Sequence, residues 1–315
     1  MKDILVITGG GGFIGTHLAE HFVSRFQIRL FDGFVRDSLR FAPHLAQSPE
    51  IEIISGDVLD ARAVRAALEG AHAVIHCAAI AGVSNYYNRP IETLRVNIIG
   101  TFNTLDAAVD ARVRRFVHFS TSEIYGPSAN AVAETAAPTS GPVSDRRWVY
   151  SVSKLSGEHA TLRYGEAYGI KATTVRPFNV YGPRQTGESA ISNFARRLIR
   201  GEPIEIYGDG SDVRTWCHVE DVAVAVDLML DNEAAFGTTF NVGNPAARLT
   251  MLELAHMMVA LHGSGDVRHV PQTHSPIKVR TPNIARANAL LGFAPKIGLT
   301  EGLKNTLEWF EKVRP

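Results

Sequence analysis

The chain has 315 residues, 45% of them hydrophobic, enough to bury a large core in one big domain or in a main domain with a smaller partner. Lys and Arg number 32 against 32 Asp and Glu, with no polybasic run, so neither a nucleic-acid nor a membrane-surface partner is expected. The two cysteines, Cys77 and Cys217, sit in no metal-ligand spacing and read as reduced thiols of a cytoplasmic protein without a metal; no apolar run approaches the roughly 18 residues of a membrane span.

The first 180 residues alternate short β-rich runs with amphipathic helical patterns, which predicts an α/β fold built on a doubly wound parallel sheet. Strands are expected at Ile4 to Ile7, Ile28 to Phe31, Ile51 to Ile54, Ala73 to Cys77, Phe116 to Phe119 and Ala172 to Val175. Their near-continuous Val, Ile and Leu suit strands covered on both faces. Phe13, Ile14, Leu18, Phe22 and Phe26 recur at helical spacing, as do Ala63, Val64, Ala67 and Leu68. From about Arg176 the pattern loosens into segments punctuated by Pro and Gly, such as RPFNVYGPRQTG and YGDGSDVR. These suggest a smaller α/β lobe for a substrate, giving domains of 1–176 and 177–315 with an interleaved, approximate boundary.

TGGGGFIG follows the first strand, with Gly9, Gly12 and Gly15 in a G-x-x-G-x-x-G spacing around Phe13 and Ile14. Such glycines permit a tight turn, let backbone N–H groups approach a pyrophosphate, and allow close helix-to-strand packing. Asp32 stands at the end of the second strand, seventeen residues past Gly15, where a carboxylate accepts from an adenosine ribose hydroxyl and repels a 2′-phosphate. The expected cofactor is NAD. GDVLD places Asp57 and Val58 where an adenine edge would sit, and HCAAIAG puts the small residues Ala78 and Ala79 where a cofactor backbone needs room.

After RRFVHF comes STSEIYG, which sets hydroxyls and a carboxylate at a strand end. WVYSVSK then gives Tyr150 and Lys154 four apart, on one face of a helix. A tyrosine lowered by a neighbouring ammonium and a nicotinamide cation can take a proton from a sugar hydroxyl while hydride leaves, and a Ser or Thr hydroxyl can hold the same oxygen.

TGGGGFIG, Asp32, GDV, the strand-end hydroxyls and YSVSK together resemble the extended short-chain dehydrogenase/reductases that modify nucleotide sugars. The resemblance continues through RPFNVYGPRQ, SNFARRLIRGEPIEIYGDGSDVRTWCHVEDVA, FNVGN and LGFAPKIGLTEGL, which are similar to the family's substrate-lobe segments. It implies a Rossmann fold, Thr121, Tyr150 and Lys154 at the hydride-transfer centre, and Asn97 and Pro177 on the cofactor. It further implies Asn179, Asn193, Tyr207, Arg214 and Arg280 around the nucleoside diphosphate of a UDP-sugar, and a homodimer through a helix bundle. Arg214 and Arg280 make physical sense as diphosphate forks.

Oxidation at carbon 4 of a sugar acidifies the proton on carbon 5, and three reactions diverge from there. A 4-epimerase needs no carboxylate beside the hydroxyls, a dehydratase needs a base for the carbon 5 proton, and a uronate decarboxylase releases carbon dioxide. Thr121 and Glu123 match the family's Thr-Asp-Glu dehydratase triplet, but Ser122 replaces its acid. The expectation is a lyase with Glu123 as base, hydride being returned to carbon 4. Dehydration of UDP-GlcNAc across carbons 5 and 6, as in tunicamycin-type antibiotic biosynthesis, is the form favoured. UDP-glucuronate decarboxylation and 4-epimerisation stay open, and an NAD-sensing binding protein is the non-enzyme alternative. Against decarboxylation, the sugar-side loop IAGVSNYYN offers no obvious cation for a sugar carboxylate, though Arg214 could serve.

Overall fold

A computed structural model describes residues 2–272 and 277–314. In the first half, strands β1 (Ile4–Thr8), β2 (Gln27–Asp32), β3 (Ile51–Ser55), β4 (Ala73–His76), β5 (Arg115–Phe119), β6 (Ser128–Val132) and β7 (Lys171–Pro177) are interspersed with helices. These are α1 (Phe13–Phe22), α2 (Pro43–Ala46), α3 (Ala61–Leu68), α4 (Val83–Asn88), α5 (Pro90–Leu94), α6 (Gly100–Asp110) and α7 (Val149–Tyr168). The second half contributes β8 (Val180–Tyr181), α8 (Ala190–Ile199), β9 (Ile204–Tyr207), β10 (Val213–Thr215), β11 (Cys217–His218), α9 (Val219–Asp231) and β12 (Thr239–Val242). It closes with β13 (Arg248–Thr250), α10 (Met251–His262), β14 (Val267–Val270), β15 (Val279–Pro282), α11 (Ala285–Leu291) and α12 (Leu299–Val313).

Among the described residues, seven parallel strands form the main sheet in the order β12-β7-β5-β4-β1-β2-β3. The order reverses at β1, so the crevice beyond the strand ends opens there, where doubly wound sheets bind ligands. Both faces are covered, which explains the apolar strands. Leu18 and Phe22 of α1 with Val222, Val226 and Met229 of α9 pack one side, and Val64 and Leu68 of α3 with Leu105 and Ala108 of α6 pack the other. Each fully buried Leu, Val, Met or Phe contributes roughly 1.5–3 kcal/mol.

All six strands expected from the sequence are present within two residues of their expected ends. The seventh corrects the reading of FNVGN as a lobe segment: Thr239–Val242 pairs with β7 at the sheet edge, Phe240 opposite Val175. HVEDVA is corrected likewise, because α9 covers the main sheet beside α1. The exchange runs both ways, since β6 from the first half joins β15 in the four-stranded sheet β13-β10-β15-β6. A third core, Ile191, Phe194 and Leu198 of α8 with Leu254, Met258, Leu303 and Phe310, stabilises the lobe.

Candidate active site

The turn after β1 is built for close approach. Gly9 has φ +71°, and a Cβ there would lie 2.6 Å from the Ala78 backbone nitrogen; one on Gly15 would lie 2.4 Å from the Gly9 carbonyl. Only glycine lets β1, the β4 loop and the start of α1 meet so tightly. Gly12 caps α1 without a side chain, which leaves its first N–H groups facing the crevice.

A cleft of about 690 Å³ follows, lined by Gly9, Gly12, Phe13, Ile14, Gly15, Asp32, Asp57, Val58, Ala78 and Ala79, and at its far end by Thr121, Tyr150, Lys154 and Pro177. Of the expected cofactor residues, Asn97 alone does not line it. Asn97 is fully buried in a π-helical turn, Arg95–Ile99, where it accepts from the Ile80 N–H at 2.8 Å and donates to the Ser153 hydroxyl at 3.0 Å. Ser153 in turn donates to the Tyr150 carbonyl at 2.7 Å, so Asn97 steers the cleft wall and the tyrosine's helix from behind. A buried chain continues from Asn97: its carbonyl accepts from Thr101 at 2.7 Å, and the His76 ring bridges Thr101 to Thr8 at 3.0 and 2.7 Å.

Asp32 accepts from the Gly11 N–H at 2.9 Å and the Phe34 N–H at 2.7 Å, and burial pushes its carboxyl up from the usual range. Those two bonds fix the carboxylate at the cleft wall with acceptor capacity left for a ribose hydroxyl. Lys154 is 1% exposed, its ammonium has no hydrogen-bond partner among the described residues, and burial pulls it down to about 8. A buried, unpartnered ammonium at the floor of a cleft with a glycine cradle fits NAD, whose ribose hydroxyls would satisfy it. Burial and the Glu123 charge push Tyr150 up, and a hydrogen bond with Thr121 pulls the other way.

The region beyond Tyr150 is assembled differently. Thr121 caps the 3-10 turn Ser122–Tyr125, accepting from the Glu123 N–H at 3.2 Å, so it sits at the cleft while Ser122, 3% exposed, and Glu123 turn away from it. Glu123 faces guanidiniums. Arg147 Nη2 lies 3.2 Å from each of its oxygens and Arg280 Nη1 lies 3.7 Å from Oε1, with side-chain exposures of 7% and 4% for the two arginines. Arg280 is held by donating to the Gly126 carbonyl at 2.9 Å, and it stands opposite Arg214 in the β10–β15 register. Burial and then the Arg280 charge pull Arg214 down to about 10, with Asp212 3.8 Å away as its counterion.

Arg147 and Tyr86 are the residues that sequence reasoning missed. Arg147 is the middle residue of the Arg146–Trp148 turn, three residues before Tyr150, and its guanidinium lies 5.7 Å from the ring of Tyr86, which stacks on Tyr150 at 4.9 Å. The signal was present in RRWVYSVSK, because a residue three before Tyr150 falls on its helical face. The loop IAGVSNYYN itself carries no cation, and the Arg147 guanidinium reaches the ring of its Tyr86 from the turn before α7.

None of the expected substrate residues Asn179, Asn193, Tyr207, Arg214 and Arg280 lines the cleft, nor do Ser122, Glu123 or Arg147. Asn179, at φ +38°, donates to the Thr215 carbonyl at 2.8 Å and ties β8 to β10. Asn193 is exposed on α8, and Tyr207 is 53% exposed at the end of β9. Among the described residues no cluster of three or more metal-ligating side chains occurs, and no helix is long and apolar enough to cross a membrane.

The model of the NAD dependent epimerase/dehydratase family matches residues 5–243. The chain is 32% identical to the UDP-N-acetyl-alpha-D-glucosaminuronate decarboxylase of Bacillus cytotoxicus over 324 residues, covering 99% of each. Among solved structures it is similar to the UDP-glucuronic acid 4-epimerase of Bacillus cereus in complex with UDP-glucuronic acid and NAD, with TM-score 0.91, 26% identity, and 98% and 99% of the two chains covered. It is also similar to a dTDP-glucose 4,6-dehydratase of Streptomyces venezuelae with NAD bound, with TM-score 0.91, 28% identity, and 99% and 98% covered. With the glycine cradle, the fixed Asp32 and the Tyr150–Lys154 pair, these matches make the chain a nucleotide-sugar-modifying enzyme that uses NAD, a member of the NAD dependent epimerase/dehydratase family.

Proposed function

We propose that the protein decarboxylates a UDP-hexuronate through a transient 4-keto sugar. The observation that carries this reading is the Arg147–Glu123–Arg280 cluster: two nearly buried guanidiniums against one carboxylate. That leaves one unit of positive charge unbalanced beside Tyr150, a place suited to the carboxylate on carbon 5 of a uronate. Arg214, paired only at 3.8 Å with Asp212, is left for the diphosphate. The Bacillus cytotoxicus relative named for a glucosaminuronate and the Bacillus cereus neighbour holding UDP-glucuronic acid support the same substrate class.

Held in the cleft by the glycine turn, Asp32 and Lys154, NAD would supply reversible hydride acceptance at carbon 4. Tyr150 takes the carbon 4 hydroxyl proton while Thr121 holds that oxygen. The ketone so formed is β to the carboxylate; the bond from carbon 5 to the carboxyl carbon breaks, its electron pair passes into the enolate at carbons 4 and 5, and carbon 5 is reprotonated.

Dehydration of UDP-GlcNAc, favoured on the sequence, asks Glu123 to accept a proton, whereas both its oxygens face Arg147. Mass spectrometry of products from UDP-glucuronate, UDP-N-acetylglucosaminuronate, UDP-GlcNAc and UDP-glucose separates the readings. Loss of carbon dioxide from a uronate is the expected outcome. An unchanged mass with inverted carbon 4, or loss of water from UDP-GlcNAc, would replace it with epimerisation or dehydration.

A further inference from the structure

A second concavity, of about 440 Å³, lies at the opposite end of the main sheet. It is lined by His72, Arg112, Arg114, Arg115, Tyr168 and Lys171, together with apolar residues and a glycine, and no acidic side chain lines it. Its volume falls within the range of small-ligand sites.

The charge there is locally unbalanced in a chain whose total charge is zero. Arg115 and Lys171 share one carboxylate, Glu233, at 3.8 and 2.5 Å, and both lie over the Phe236 ring. His72 lies 3.4 Å from Asp3. Arg112 and Arg114 are exposed and make no ion pair among the described residues. Arg112 also holds φ +54° just past the end of α6, a left-handed position that glycine or asparagine would take with less strain. The Tyr168 ring, 59% exposed, offers a flat face beside the cations.

We propose that this concavity is a binding site for a phosphorylated small molecule. Guanidiniums match phosphate oxygens in pairs, and Arg112 and Arg114 have no protein carboxylate to give up first. The site stands apart from the NAD cleft: β4, β5 and β7 begin at the concavity and end at the cleft. Along α7, Tyr168 is about 27 Å from Tyr150 at the helical rise per residue.

The test is calorimetric titration of the NAD-loaded protein with inorganic pyrophosphate, in excess UDP so that the nucleotide end of the cleft is occupied. It is repeated on the double variant Arg112→Asn and Arg114→Gln. Asparagine tolerates the left-handed backbone, so both exposed replacements keep the fold, checked by an unchanged melting temperature. Pyrophosphate is expected to bind the parent at one site, with affinity falling as salt rises, and to bind the variant about tenfold or more weakly. Equal affinity in parent and variant, or no heat in either, would overturn the assignment. So would an RNA oligonucleotide that binds the parent far more tightly than pyrophosphate and loses that binding in the variant.

Discussion

The cofactor end and the sugar end of the cleft are held by different means. Around the glycine turn, recognition is made from backbone: Gly9, Gly12 and Gly15 clear space, Gly11 and Phe34 N–H groups hold Asp32, and most of the residues involved lie within one strand-turn-helix unit. Beyond Tyr150, where the proposed sugar would sit, the structure gathers charge instead, from Glu123, Arg147, Arg214 and Arg280, on segments far apart in the chain. A backbone cradle tolerates many side chains and commits to one cofactor shape. A charge cluster changes substrate with one substitution, which suits a family whose members share NAD and differ in the sugar.

Four experiments can break or sharpen that contrast. Tyr150→Phe should lower kcat by about 10³-fold or more with NAD binding intact, since it removes only the proton acceptor; steady-state rates and cofactor retention on gel filtration check it. Lys154 should contribute a stability term that depends on pH. Its folded pKa, about 8, lies below the ordinary 10.5, so between these values the unfolded chain holds more protons and stability rises with pH. The full term is present above 10.5 and is lost as pH falls through about 8, on the order of 3 kcal/mol in all. Urea unfolding of the parent and Lys154→Met across that window measures it, and a flat difference between them would remove the buried ammonium from the account.

Arg147→Met should reduce kcat/KM for a UDP-uronate by about 30-fold while changing turnover of an uncharged UDP-hexose little, because truncating one partner of a buried charge pair costs roughly 2 kcal/mol or more. A uniform loss across substrates would make Arg147 structural only. Asp32→Asn should raise the NAD dissociation constant about tenfold, roughly one charge-assisted hydrogen bond, and narrow the preference over NADP; fluorescence titration with each dinucleotide reads both.

The legibility of the two ends follows the same division. Glycine spacing, a strand before it and an acid after the second strand are local, so the cofactor wall could be read from the sequence, as could six strands whose apolar runs have no other use. Thr239–Val242 was not read as a strand because TFNV mixes Thr and Asn with its apolar residues, and its partner β7 lies more than sixty residues earlier. Asn97 was assigned to the cofactor, yet its side chain points into protein. Arg147 was not legible because a solvated helix start and a buried ion pair look alike in sequence; its partner Glu123 lies 24 residues earlier and Arg280, which also faces Glu123, lies far along the chain.

The exchange of β6 and β12 between the two sheets has a consequence for how the chain folds. A fragment ending at residue 176 would lack α9 and β12, exposing the edge of β7 and the apolar residues that Val222, Val226 and Met229 cover. Because each sheet needs a strand from the other half of the chain, neither can close before both have been made. The enzyme should therefore melt in a single transition by calorimetry, and its two halves, expressed apart, should regain structure only when mixed.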